Sequence, residues 1–317
     1  MSNRGLHGLL AVAGFAAAIS LACRASSHLA GTLLNGLSLP VMTRLHAFTA
    51  RAAFPIVELM ALALAAILSF TLIASLVHGA STRSLRPLGR WLLGLGWMAA
   101  VLGGMLIALW SPVREVTSDT FEPVPTPERL DWLCGELIDA LNASGLAWPS
   151  PEASLDRAPE VAGQPECVVK AARYPEWMRL ARISGLFVPL TGEALVDAGA
   201  PAPLVPFTAV HELMHLAGVA DEGEANIAAW ESCQAAGGAF ADSARLWALR
   251  YAMGMLCQED PDAWRQAHEK MEGTLARTFQ VCGGEATGAA QAALGAGMLP
   301  LSCGDYAALV SYLVVTH

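Results

Sequence analysis

The stretch VHELMHLAGVADEGEANIAAW, residues 210 to 230, concentrates side chains able to hold a metal ion and move a proton. On an α-helix, positions four apart are neighbours on one face, so His211 and His215 can share one divalent ion. Glu212 follows the first histidine and points to the side where a coordinated water would sit. In this HExxH arrangement Zn2+ acidifies its water and a carboxylate accepts the proton. The chemistry to expect is hydrolysis, with Glu212 activating a zinc-bound water that attacks a peptide carbonyl. The alternative is a non-catalytic membrane binding or scaffold protein with a structural metal site. Such a site usually takes four protein ligands and has no use for a base beside the first histidine.

Three acids compete to be the third ligand. The spacing HExxHxxGxxD nominates Asp221. Asp221 and Glu224, however, stand three apart at the start of the next helix, the spacing of a capping box, and that role occupies both side chains. Glu222 is then left free in the first turn, with Asn226 one turn later on the same face. An acid followed four residues on by Asp or Asn is how many zincins pair a ligand with the group that steadies a ligating histidine. Glu222 is the first choice, Glu224 the second and Asp221 the third.

The segment must be a helix for this to work. Thr208 after Pro206 can cap a helix starting at 208, and Gly218 can end it just past His215. Helices are also expected over 127–143, 222–236, 242–257, 261–280 and 304–315, and one or two strands with a glycine-centred turn over 183–197. Tyr251, His268 and Tyr306 are candidates by type to stabilise an oxyanion, although a core role suits each better. Glu193, in the turn Thr191-Gly192-Glu193, is a candidate substrate contact, and His317 is expected in solvent.

Charge divides the 317 residues sharply. Residues 1–110 hold seven Arg, no Lys and one acid, Glu58, a formal +6; residues 111–317 hold 12 basic and 27 acidic residues, a formal −15. The two sum to −9. Three apolar stretches, about 6–23, 56–77 and 89–110, approach the ~20 residues a membrane helix needs. The division is a membrane part, 1–113, and an acidic domain, 114–317, joined through a Pro- and acid-rich linker at 111–127. Leu33–Leu45, interrupted by Gly36 and Pro40, reads as interfacial. Arg83, Arg86 and Arg90 mark the loop between the second and third stretches as cytoplasmic. The N-terminus is then inside and the acidic domain extracytoplasmic. Six cysteines in that domain (Cys134, Cys167, Cys233, Cys257, Cys282 and Cys303) suggest disulfides there. No basic patch or aromatic RNA-binding motif is present, so nucleic acid is not an expected partner.

Several stretches carry a family resemblance. ISGLFVPLTGEALVD and LVPFTAVHELMHLAGVADEGEANIAAW resemble the core of domain-of-unknown-function family 3810, bacterial membrane proteins with a PFTxxHExxH motif and an ExEAN segment. LPVMTRLHAFTARAAFPIVEL, LWSPVREVTSDTF and GDYAALVSYL extend the likeness, while 145–172 and 235–300 match poorly. Phe187-Val188-Pro189-Leu190 and Ile227 depart from the usual pattern. The resemblance implies an α+β, mostly helical, zincin-like (gluzincin-type) metalloprotease domain on a three-helix transmembrane anchor in the cytoplasmic (inner) membrane. It carries over His211, Glu212, His215, Glu222, Glu224 and Asn226 as motif positions and supplies no activity. Glu222 to Asn226 is also similar to the ExxAD segment of membrane-associated gluzincin peptidases. The expected cofactor is Zn2+, and the expected partners are the lipid bilayer and a peptide or protein substrate in the cell envelope.

Overall fold

Apolar runs punctuated by Pro, Gly and short polar residues set the elements of this chain. The computed structural model describes residues 3–116, 125–181, 183–283 and 303–316. The chain divides into two compact units, Met1–Thr117 with Val188–Glu193, and Ser118–Phe187 with Ala194–His317.

The first unit holds five helices among its described residues. α1 (Asn3–Ala25) and α2 (Ser27–Leu33) are separated at Ser26, whose hydroxyl accepts the Leu29 N–H and caps α2. A π-helical turn, Leu34–Ser38, leads into α3 (Leu39–Thr49). The interruption expected at Gly36 and Pro40 is thus one wide turn, and Pro40 sits in the first turn of α3, where its missing N–H costs nothing. α4 (Ile56–Thr82) and α5 (Arg86–Val116) follow, joined where Arg83 takes a left-handed φ of 47°. α1, α2 and α4 all pack on α5.

Ile56–Thr82 and Arg86–Arg114 are long and apolar enough to cross a membrane. In each, only 6% of the most apolar 18-residue window is buried, the reverse of a core helix in a water-soluble protein. The described apolar part of α1, Leu10–Ala25, is shorter.

The turn Val188–Glu193 belongs to this unit. His46 Nδ1 donates to the Gly192 carbonyl at 2.8 Å, and Thr49 Oγ1 donates to the Thr191 carbonyl at 3.2 Å. Gly192 has φ +66°, and a Cβ there would lie 2.6 Å from His46 N and Met42 O, so only glycine fits. The Glu193 carboxylate accepts the Ile56 and Val57 N–H groups at 2.8 and 2.7 Å. Pro55 precedes α4 without a side-chain bond, so Glu193 is the cap of that helix.

The second unit is mostly helical, with one small sheet. α6 (Pro127–Ala143) buries the stripe Leu130, Leu133, Leu137 and Leu141. α7 (Pro151–Val161) starts where Ser150 accepts the Ala153 N–H. β1 (Val169–Ala171), α8 (Glu176–Leu180), β2 (Gly185–Val188) and β3 (Glu193–Val196) come next. The sheet order is β1–β3–β2, with β1 parallel to β3 in the register Val169–Ala194, Lys170–Leu195 and Ala171–Val196. β2 therefore lies at an edge. Sequence reading did not anticipate α7, β1 or α8.

α9 (Val205–Leu216), α10 (Glu222–Ala236) and α11 (Gly238–Glu259) pack on one another. The single helix expected over 261–280 is two, α12 (Pro261–Glu269) and α13 (Gly273–Val281). Asn142 of α6 takes up the backbone at the break, donating to Lys270 O at 3.0 Å and accepting from Glu272 N at 3.1 Å. α14 (Cys303–Thr316) ends the described chain.

The expected disulfides are not found among the described residues: Cys134, Cys167, Cys233, Cys257 and Cys282 are all free. The cysteine count pointed to bridges, but Cys134, Cys233 and Cys282 are buried thiols packed as small apolar groups. Burial pushes all three up, Cys282 to about 11. The Cys303 side chain, residues 117–124 of the linker, the Tyr306 side chain and His317 lie outside the described residues.

Candidate metal centre

Every residue of α9 is buried, so its polar groups must find partners inside the unit. The helix begins at Val205, earlier than Thr208, because Pro206 is tolerated in a first turn. Thr208 is not the cap; its hydroxyl donates back to Leu204 O at 2.9 Å. Ser243 of α11 instead accepts the Phe207 N–H at 3.1 Å. The other end is a Schellman turn, with Gly218 N bonded to His215 O, Val219 N bonded to Met214 O, and Gly218 at φ +97°. That turn swings the Val219 carbonyl back to His215 Nδ1 at 2.6 Å. A carbonyl only accepts, so His215 carries its proton on Nδ1 and presents Nε2 inward.

His215 Nε2 lies 3.1 Å from His211 Nε2. On α10, Asp221 caps the helix by accepting the Glu224 N–H at 2.9 Å, and Glu222 in the first turn reaches back. Its Oε2 is 3.1 Å from His211 Nε2 and 3.5 Å from His215 Nε2. Among the described residues, His211, His215 and Glu222 form the one cluster whose donors converge tightly enough to hold a metal ion. Asp221 and Glu224 are not in it. Asn226, wholly buried, sits by the His211 imidazole and favours its charged form.

Three donors with edges of 3.1, 3.1 and 3.5 Å can be tested against an ion. Tetrahedral Zn2+ with bonds of about 2.0–2.1 Å needs donors about 3.3 Å apart. Two imidazoles and a carboxylate at that spacing fit Zn2+ and leave one coordination position unfilled by protein.

Burial lowers His211 below its ordinary range, against the opposing pull of Glu222. Burial also disfavours charge on His215, but its bond to Glu222 and the charges of Glu212 and Glu222 outweigh this and lift it to about 9. For Glu222 burial is likewise outweighed, and the two histidines hold it well below the carboxylate range.

Glu212 is buried beside the cluster. Burial drives its carboxyl up to about 8, while His215 and the Phe187 N–H restrain it and Glu222 pushes it further. A Cβ on Gly185 of β2 would fall 2.2 Å from Glu212 Oε1, so the edge strand lies directly against this carboxylate. Phe187 also stacks on His215, with ring centroids 6.5 Å apart, and Phe207 tilts against His211 at 6.4 Å. Sequence reading missed Gly185 and Phe187. Their only signal was a glycine opening a strand, which commonly marks close backbone approach.

Three other candidates fall elsewhere. Glu193 is 1% exposed and bound to Ile56 and Val57, so it is a structural cap and not a substrate contact. Tyr251 stacks on Trp247 at 5.8 Å, and His268 packs on Trp264 and Phe279.

No curated protein and no solved structure matches the chain. A family described as "Protein of unknown function (DUF3810)" matches residues 34–281, which include His211, Glu212, His215 and Glu222, and the chain belongs to that family.

Proposed function

We propose that this protein is a membrane-anchored, zinc-dependent metallopeptidase with a zincin-like, gluzincin-type domain. The observation that carries the reading is the triangle of His211, His215 and Glu222 with Glu212 buried at its side. Zn2+ bound there would acidify a water and polarise a carbonyl. His215 is aligned for ligation by Val219 O, and Asn226 steadies His211. Glu212 takes the proton of the attacking water and returns it to the departing amine. Its surroundings favour that exchange, because burial holds the carboxyl near neutrality.

The anchor in this reading comprises α1, α4 and α5, with the N-terminus inside and the 114–317 domain outside the cytoplasmic membrane. Arg83 between the two long apolar helices, with Arg86 and Arg90 in the first turns of the second, supports that orientation. The substrate is a peptide or protein of the cell envelope. The test is zinc content and peptide-library cleavage by the full chain in detergent, for wild type and Glu212→Gln. One zinc per chain, with cleavage lost only in the variant, is expected. Equal activity in the two would remove Glu212 as the base.

A further inference from the structure

The second unit contains a cleft, separate from the metal cluster, where α6, α10, α11 and α14 meet. It encloses about 650 Å³, within the range of small-molecule sites. Its walls are two indoles, Trp132 and Trp230, with Leu137 and Leu313. Glu136 and Glu231 are the exposed acids in its lining.

The charge balance is one-sided. Arg245 also lines the cleft, but its guanidinium is already engaged, donating to Asp242 at 3.0 Å and to Gln234 Oε1 at 2.8 Å. Glu231 accepts the Tyr312 hydroxyl at 2.7 Å, a bond that orients the carboxylate and leaves its charge in place. Two carboxylates remain without a matching cation among the described lining residues. Trp132 already receives one cation, since the Arg129 guanidinium sits 5.0 Å from its ring centroid.

We propose that this cleft binds a small organic cation, an ammonium or guanidinium group carried on an apolar body. Indole faces attract such a group more strongly than the other aromatic rings do, and carboxylates beside them add direct charge attraction. The leucines take the apolar body. A carboxylate or phosphate ligand would meet repulsion from Glu136 and Glu231. The inference owes nothing to the metal reading, because none of these residues belongs to the cluster.

The experiment is calorimetric titration of the full chain in detergent with benzyltrimethylammonium, and with its uncharged isostere neopentylbenzene. Both are run with EDTA present, so that failure of the metal reading has no bearing on the result. Saturable binding of the ammonium, with no binding of the isostere, is expected. The double variant Glu136→Gln, Glu231→Gln should weaken it by on the order of tenfold, and Trp132→Ala should weaken it as well. Both changes lie at half-exposed or exposed positions, and unchanged thermal melting verifies the fold. Equal binding of the two probes makes the cleft a plain apolar slot and overturns the proposal. So does binding unaffected by the glutamine pair, or tighter binding of the tripeptide Ala-Lys-Ala than of the free ammonium.

Discussion

Replacing Gly185 by alanine would show whether Glu212 works from the place the fold gives it. The added Cβ would stand 2.2 Å from Glu212 Oε1 and 2.8 Å from both Cγ and Cδ. Ordinary contact begins at 3.4 Å, so Oε1 must retreat by 3.4 − 2.2 = 1.2 Å. The backbone of Gly185 is not in the positive-φ region, so alanine adds no strain of its own. Nor can α9 yield easily, since all its residues are buried. A displacement of about 1 Å at a reacting group can cost ~100-fold in rate, so kcat/KM should fall by about two orders of magnitude. His211, His215 and Glu222 are untouched, and zinc content should stay at wild-type level. The assay pairs elemental analysis with cleavage of the best library peptide, beside Glu212→Gln as the floor. Full activity in a folded, zinc-loaded Gly185→Ala protein would refute the positioning argument.

Four other outcomes are expected. Zinc affinity should rise about tenfold per pH unit up to about pH 9 and then level off, because His215 must shed a proton held to about 9 before it can ligate; a competition titration flat from pH 6 to 9 would contradict this. Asn226→Ala should weaken zinc binding by about 10–100-fold while stoichiometry at saturating metal is kept, as read by chelator competition. Glu193→Ala leaves two helix N–H groups without an acceptor and should cost about 1–2 kcal/mol in the melting of the full chain, and an unchanged Tm would show that the cap is dispensable. Burial alone would raise Asp197, but Arg179 and the Gly199 and Ala200 N–H groups hold its folded value below the ordinary one. Its stabilisation is therefore present above the unfolded value and lost as pH falls through the folded one, and Arg179→Ala should move acid unfolding to higher pH.

The local geometry of residues 205–226 could be read without coordinates because it is helical and short-range. His211 and His215 share a face by periodicity, Gly218 ends the helix by its φ, and Asp221 is spent on a cap, which left Glu222 to turn back. What escaped was tertiary. Gly185 is needed because Glu212 occupies the space of its Cβ, and a separation of 27 positions hides that. Asn142 splits 261–280 from 128 positions away. Thr208 looked like a cap because the Ser243 hydroxyl that serves α9 comes from another helix. α7 was legible and overlooked: Ser150-Pro151-Glu152 repeats the start signal of Thr126-Pro127-Glu128, but only a short apolar stripe follows it. Glu193 looked like a substrate contact because the amides it serves, those of Ile56 and Val57, are far away in sequence.

That last pairing has a consequence for synthesis. Val57 leaves the ribosome 136 residues before Glu193 does. Throughout that interval α4 carries amides at its leading end that water or lipid headgroups must serve, because the carboxylate destined for them does not yet exist. Capping of α4 therefore waits on translation of the turn that follows Phe187. A polypeptide truncated before Glu193 leaves those two amides to water or lipid headgroups.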